Sequence, residues 1–415
     1  MISSEKPIFN DQTWEESWAI VDSLENILKF DSALSATEEI LEKAFEEKDR
    51  INYLRAVDYK SSYIMALNPG EVDKVVAFVN GEKERTGEIV TSVLNSKLGT
   101  FYLRFFERNR TRISQRTNVD IEENEGIESL TKADFLRIAE NYFLQSLESD
   151  LTKEVTNLSL EYIVGGDSIG RILRPFLYQT LLHQALDFYS KATNWSSEVG
   201  PQFLLRNELF YGSAEDFMDI NLEEKGVPAK SYLYHSLKLY QKALQFAIET
   251  DNRIGLGDVD LARLIFVHSV FSSHQKEIYF RDALNRGIAE YGDVDVQLAF
   301  GTELVQNLNI QGSNYSYQEG DPNKWLRRDA IELADSLLEG KPDSHWAPGL
   351  LSLRENITAP VLNFQMEEAM SPGNDFLVSL DYKNTASVKA YIYQISRQDQ
   401  LNWRQTNAED LNAAL

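Results

Sequence analysis

The stretch whose residue types come nearest to a reactive centre is Tyr162-Ile163-Val164-Gly165-Gly166-Asp167-Ser168-Ile169, an apolar run that ends on Gly-Asp-Ser. A serine so placed becomes a nucleophile when an imidazole takes its proton and an aspartate orients that imidazole. Of the five histidines, the one with the shortest spacing after an aspartate is in Asp343-Ser344-His345. The same glycines lack the Gly-Lys-Ser/Thr that a phosphate loop places at a helix start. They read instead as a turn that opens a helix.

Other constellations fare similarly. His268 and His274 lie six apart with Glu277 after them, and that spacing does not put two imidazoles on one helix face as HExxH does. Asp293, Asp295, Gln297 and Glu303 have a faintly calcium-loop spacing, without the central glycine and within a helical pattern. Arg104, Arg108, Arg110, Arg112 and Arg116 form a basic cluster suited to a phosphate or an acidic partner. The expected role is ion pairing with neighbouring helices or solvation at a helix end. No catalytic, cofactor-binding or metal-ligating residue is assigned, and no cofactor.

The totals bound the remaining possibilities. At 415 residues, 43% apolar and 26% charged, the composition is that of a globular protein with two or three domains. A formal charge of −24 argues against nucleic acid and anionic lipid as partners. No run approaches the length of a membrane span, and MISSEKPIFNDQ lacks a basic start before an apolar core. The expectation is a cytoplasmic protein or a mature or trimmed form without direct membrane insertion. Absence of cysteine excludes disulfides and thiolate chemistry.

The pattern is helical from the start. Thr13 and Glu16 form a capping box, with Trp14, Trp18, Val21 and Leu28 on the apolar face. Helices follow over 35–48 and 51–67, and Leu94, Leu98, Phe101 and Phe105 make a further seam. A loop is expected over 118–128, then a helix capped by Thr131 and Asp134. The stretch Arg171 to Tyr189 reads as a helix with Pro175 in its first turn, its apolar residues covering too broad a face for one partner. Phe203 to Tyr211 reads as an extended surface linker. Helices are expected over 229–250, 259–273, 275–291, 294–308, 323–338 and 346–356, with Tyr240, Ala243, Leu244 and Ala247 resembling tetratricopeptide-like packing. No strict 34-residue repeat fits. From Ala359 the period becomes two, giving strands around Phe364 and Met366, from Phe376 to Tyr382, and from Tyr391 to Ile395. The polar tail ends without a stop signal, as expected of a chain that continues.

Two resemblances carry function. The Gly-Asp-Ser block resembles the nucleophile block of GDSL-type esterases and would make Ser168 the nucleophile. The missing Asp-x-x-His and the non-alternating helical pattern depart from that family. The second resemblance spans most of the chain. Leu173-Arg174-Pro175-Phe176-Leu177-Tyr178 through His183-Gln184-Ala185-Leu186-Asp187-Phe188 is similar to the Arg-Pro-Thr-Leu-Tyr-Asp and His-Arg-Ala-Leu-Asp wording in the N-terminal region of large Bacteroidetes alpha-2-macroglobulin-like proteins, with Phe176 and Gln179 as departures. Asn109-Arg110 through Gln115-Arg116-Thr117 resembles that family's Asn-Arg and Arg-Thr segment. Ala359-Pro360 to Ile395, with Leu380-Asp381-Tyr382-Lys383-Asn384, looks like the opening of its first macroglobulin sandwich.

That resemblance implies a cell-envelope or periplasmic protein of far greater length, with a lipid anchor as one form of attachment. Its partners would be downstream macroglobulin domains of the same polypeptide and target proteases trapped after cleavage of a bait segment. Bait and any Cys-Gln thioester would lie beyond Leu415, so no family functional residue is carried onto these positions. The expected fold is mainly α: an irregular, tetratricopeptide-like α-α array, then a short C-terminal β segment that begins a macroglobulin-type sandwich. Its expected divisions are 1–117, an N-terminal helical subdomain; 129–357, the helical array; 358–396, the first strands; and 397–415, a polar tail. The expected function is a non-catalytic scaffold of a protease inhibitor, with a protein- or glycan-binding module and an esterase using Ser168 as alternatives.

Overall fold

Helix follows helix from Trp14 to Thr358 in the computed structural model, which describes residues 12–115, 126–156, 168–195, 204–316, 320–341, 344–367, 375, 377–391 and 396. Sixteen α-helices lie among the described residues: α1 (Trp14–Asn26), α2 (Phe30–Glu46), α3 (Arg50–Leu67), α4 (Val72–Arg85), α5 (Glu88–Arg108), α6 (Arg110–Ser114), α7 (Lys132–Ser146), α8 (Ser168–Leu173), α9 (Leu177–Trp195), α10 (Ala214–Met218), α11 (Tyr232–Glu249), α12 (Arg253–Val270), α13 (Lys276–Glu290), α14 (Val294–Ser313), α15 (Leu326–Leu338) and α16 (Ala347–Thr358). Two strands follow, β1 (Val361–Met366) and β2 (Val378–Lys383). Two units divide the chain, Met1–Leu350 and Leu351–Leu415, the boundary falling within α16. No described helix is long and apolar enough to cross a membrane.

The expected capping boxes are present. Thr13 and Thr131 each accept from the backbone N–H of Glu16 and Asp134, whose carboxylates accept in return. Between α1 and α2, α2 and α3, and α11 and α12, the chain turns through Leu28, Lys48 and Asp251, all at positive φ. In each case the next N–H reaches back to the last helical turn: Lys29 to Leu24, Asp49 to Ala44 and Asn252 to Ala247. This is a Schellman-type ending that usually takes glycine. Asp49 and Asn252 then cap the following helix.

Two hydrophobic interiors fill the first unit. One gathers α1 to α5 around Ile40, Leu41, Leu54 and Leu94. The other runs from the C-terminal half of α5 through α7 and α11 to α14. Helix α9 serves both: Leu177 and Leu181 pack into the first, while Tyr178, Leu182, Ala185, Phe188, Tyr189 and Ala192 pack into the second. The broad apolar face of this stretch therefore does meet more than one partner. Its helix begins two residues after Pro175, which sits in the preceding loop.

Several expectations need correction. Leu28 is 74% exposed, because the turn ends α1 before that residue. The second helix starts at Phe30 and not at Ser35, and α14 extends to Ser313 and not only to Leu308. Along α5 the burial continues from Leu94 and Leu98 to Tyr102 and Phe106, leaving Phe101 and Phe105 only partly buried. A 3.6-residue helix drifts across a four-and-three repeat, which shifts the buried stripe. The expected third strand falls at residues 391–395, of which 392–395 lie outside the described residues, as does the tail at 397–415.

The largest correction is Phe203 to Tyr211. Its described part is no surface linker: Leu205, Phe210 and Tyr211 are buried in the second interior. What draws this backbone inside is Arg263 on α12, itself fully buried. Its Nη1 donates to the Phe210 carbonyl at 2.8 Å and its Nη2 to that of Gly212 at 2.9 Å. Its Nε donates to Asp260 Oδ1 at 2.9 Å, and Tyr291 donates to Asp260 Oδ2 at 3.1 Å. Arg286 donates to the Tyr211 carbonyl between them.

In the second unit β1 and β2 form an antiparallel pair, with Leu362 opposite Tyr382, Phe364 opposite Leu380 and Met366 opposite Val378. Alternation puts these six on one face, and all are exposed. The other face carries Asn363, Gln365, Ser379 and Asp381. Asn384 donates to the Ile357 and Thr358 carbonyls at 3.0 and 2.9 Å, tying the pair to the end of α16.

Two substitutions test this packing. Arg263→Ala strands Asp260 and two carbonyls, and should destabilise the protein by about 3–5 kcal/mol in urea denaturation. Gly287→Ala would raise helix propensity by about 1 kcal/mol in an open helix. Here a Cβ would stand 2.1 Å from the Phe300 ring, so a net loss of about 1–3 kcal/mol is expected. A gain in stability would contradict the close contact of α13 and α14.

Candidate functional site

The polar residues singled out in the sequence do not come together in one place. Ser168 opens α8, while Tyr162 to Asp167 lie outside the described residues. Asp293 caps α14, accepting from the N–H groups of Asp295 and Val296 at 2.9 and 3.2 Å. Asp295 accepts from the Ser344 hydroxyl and from the His345 N–H. Glu303 is mostly buried, which pushes its carboxyl above the ordinary value. Among the described residues no three His, Asp or Glu side chains converge as metal ligands would.

The basic cluster divides. Arg112 pairs with Glu128 at 2.8 Å and Arg110 lies over the Trp195 ring at 5.2 Å. Arg104 and Arg108 are exposed on the last turns of α5, where a cation answers the negative end of the helix dipole. Arg116 lies outside the described residues.

His268 and Glu277 do meet, through folding rather than through helix spacing. The turn after Phe271 brings the start of α13 back to the end of α12, placing His268 Nε2 3.5 Å from Glu277 Oε1. His268 Nδ1 is 3.2 Å from the Tyr211 hydroxyl, and its ring stacks on Phe280 with centroids 4.1 Å apart. Asn307 Nδ2, from α14, donates to Glu277 Oε2 at 2.8 Å. Burial lowers the His268 pKa, Glu277 opposing and Lys276 assisting. Burial and the Glu277 charge raise that of Tyr211. A neutral imidazole fits this chain, with Tyr211 donating to Nδ1 and Nε2–H directed at Glu277, an assignment made from the hydrogen-bond network. The chain can hold a proton.

A second histidine, His183 on α9, lies close to the pair formed by Arg174 and Asp258. Arg174 Nη2 donates to Asp258 Oδ2 at 2.8 Å. Burial and then the Arg174 charge lower the His183 pKa, with Asp258 and Asp187 opposing. Asn252 secures the same junction by donating to the Leu173 carbonyl at 2.9 Å.

A cleft of about 590 Å³ lies between the α2–α3 turn and the α4–α5 turn. Phe45, Ile89, Val90 and Leu151 give it an apolar wall, and Tyr53 and Arg85 line it as well. Arg85 is held by a two-pronged pair with Glu42, at 2.8 and 2.7 Å, and lies 4.1 Å over the Phe45 ring. That guanidinium keeps the Glu42 carboxyl below its ordinary value, against the effect of burial. Tyr53 donates to the buried Glu82, and burial with that acceptor raises the phenol far above its usual range. The sequence reading missed this site. Its only local signals were Phe45 and Leu151, apolar residues exposed near helix ends.

No protein-family model matches the chain, and no curated protein matches it.

Both half-buried histidines make a pH prediction. Their folded pKa values lie below the ordinary 6.5, so the unfolded chain takes up protons first as pH falls. Their contribution is present in full above about pH 6.5 and is lost below it. The urea midpoint should fall between about pH 7 and about pH 5.5, and His183→Gln should flatten that slope. A midpoint that rises on acidification would contradict the buried neutral state.

Proposed function

We propose that this chain is a non-catalytic helical scaffold, the N-terminal region of an alpha-2-macroglobulin-like protease inhibitor of the cell envelope. The observation that carries the scaffold reading is the use made of the stretch from Leu173 to Lys191. Arg174 joins Asp258, Gln184 accepts from Ser96, and Lys191 bridges Asp187 and Glu107 at 2.9 and 3.1 Å. Gln179 caps its own helix by accepting from the Phe176 N–H at 3.2 Å. Wording that resembles a family signature thus serves to join helices, as a positioning element requires.

The inhibitor reading rests on the resemblance and draws support from the β pair. A two-stranded sheet is marginal alone, and six exposed apolar residues on one face call for a second sheet packed at about 10 Å, as in a sandwich. In this proposal the helical array holds the downstream sandwiches, and the chemistry of trapping belongs to bait and thioester elsewhere in the polypeptide. Attachment through a lipid anchor belongs to the same proposal.

The test uses the full-length gene product, treated with several proteases and assayed on a small chromogenic substrate and a large protein substrate. Trapping predicts that hydrolysis of the large substrate is lost while that of the small one persists. Equal inhibition of both, or of neither, would count against it.

A further inference from the structure

Helices α1 to α5 pack on one another in chain order, and α1 runs parallel to α3: Trp18 meets Asn52, Asp22 meets Tyr59 and Glu25 meets Tyr63. The starts of α1, α3 and α5 and the ends of α2 and α4 therefore lie at one end of the bundle. Arg85 on Glu42 and Tyr53 on Glu82 mark that end, and the cleft of about 590 Å³ opens there. The chain enters α1 at the same end. Lys43, two residues before Phe45, donates to the Gln12 carbonyl at 2.9 Å and lies over the Trp14 ring.

The lining calls for an apolar occupant. Phe45, Ile89, Val90 and Leu151 supply apolar surface, and Phe45 and Leu151 are exposed. Polar groups beside them are used within the fold. Asp49 takes the Ile51 and Asn52 N–H groups, Thr86 donates to the Glu82 carbonyl at 2.9 Å, and Glu88 accepts from Ser149 at 2.7 Å. The exposed charges of the lining, Glu46, Lys48 and Arg50, are of both signs.

Residues 1–11 lie outside the described residues, and their sequence has the matching composition. In Glu5-Lys6-Pro7-Ile8-Phe9-Asn10-Asp11 an apolar pair follows a proline and is flanked by one cation and two carboxylates. Extended chain spans about 3.3–3.6 Å per residue, so Phe9 and Ile8 reach about 10–14 Å from Gln12. That matches the width of one helix, about 10–12 Å.

We propose that Pro7 to Phe9 of this chain dock in the cleft, with Ile8 and Phe9 against Phe45, Ile89, Val90 and Leu151, as a strap across the end of the bundle that is separate from any inhibitor role.

The chain has no cysteine, so introduced thiols report on the strap alone. The intact 415-residue chain carrying Phe9→Cys and Leu151→Cys is oxidised in air and run on a non-reducing gel. Its disulfide should close within the monomer at least about ten-fold faster than that of Phe9→Cys with Leu28→Cys, because closure needs Cα atoms about 4.4–6.8 Å apart. Leu28 is exposed and follows the far end of α1. A covalent dimer, which would give the cleft to a second copy, or equal closure of the two pairs, would overturn the proposal. The second measurement needs no bond to form and decides the case where the first pair stays reduced. A single Leu151→Cys should react with a maleimide about ten-fold more slowly than it does in a chain that also carries Ile8→Asp and Phe9→Asp, with circular dichroism unchanged. Equal labelling rates in the two chains would overturn the proposal.

Discussion

The first unit is organised around α9, most of which is shielded from water while Asp187 and Asn194 stay exposed. Two interiors meet across it, one closed by Leu177 and Leu181 and the other by Leu182, Phe188, Tyr189 and their neighbours. Each fully buried aliphatic or aromatic side chain contributes about 1.5–3 kcal/mol, so α9, with α5, which also runs through both, joins the two interiors. Its polar residues follow the same logic. Tyr189 donates to Glu140 at 3.0 Å, and Gln184 meets Ser96, so the few polar groups inside are satisfied by neighbouring helices.

Charge is handled in a similar way. In a chain with 65 acidic and 41 basic residues, cations are scarce, and many are placed at joints. Arg263 fixes the Leu205-to-Gly212 segment, Arg174 fixes the α8–α12 junction, and Arg85 fixes the α2–α4 contact. A buried pair such as Arg263 with Asp260 adds little net stability by itself. It specifies which backbone lies in the interior, because only a segment offering two free carbonyls can complete the arginine's bonds.

The same interior holds the polar chain of Tyr211, His268, Glu277 and Asn307. Its members come from four elements and satisfy one another, with Phe280 covering the imidazole. The α2–α5 cleft is the reverse case: its side chains are less buried and its donors are less completely used.

By itself the sequence determined the helical class, the capping boxes at Thr13 and Thr131, the breadth of the α9 face, and the change to period two after Ala359. Those are local properties, set by spacing along a helix or strand and by residues within a turn of one another. Three features were left to the tertiary structure. The turns at Leu28, Lys48 and Asp251 carry no glycine signal, and hold their positive φ because the helix pairs pack on both sides. The Leu205-to-Tyr211 segment looked like a linker because its partner, Arg263, lies about fifty residues later and must be fully desolvated to be satisfied. The cleft arises from two turns about forty residues apart, and no pattern along the chain records a distance that exists only after the helices stack.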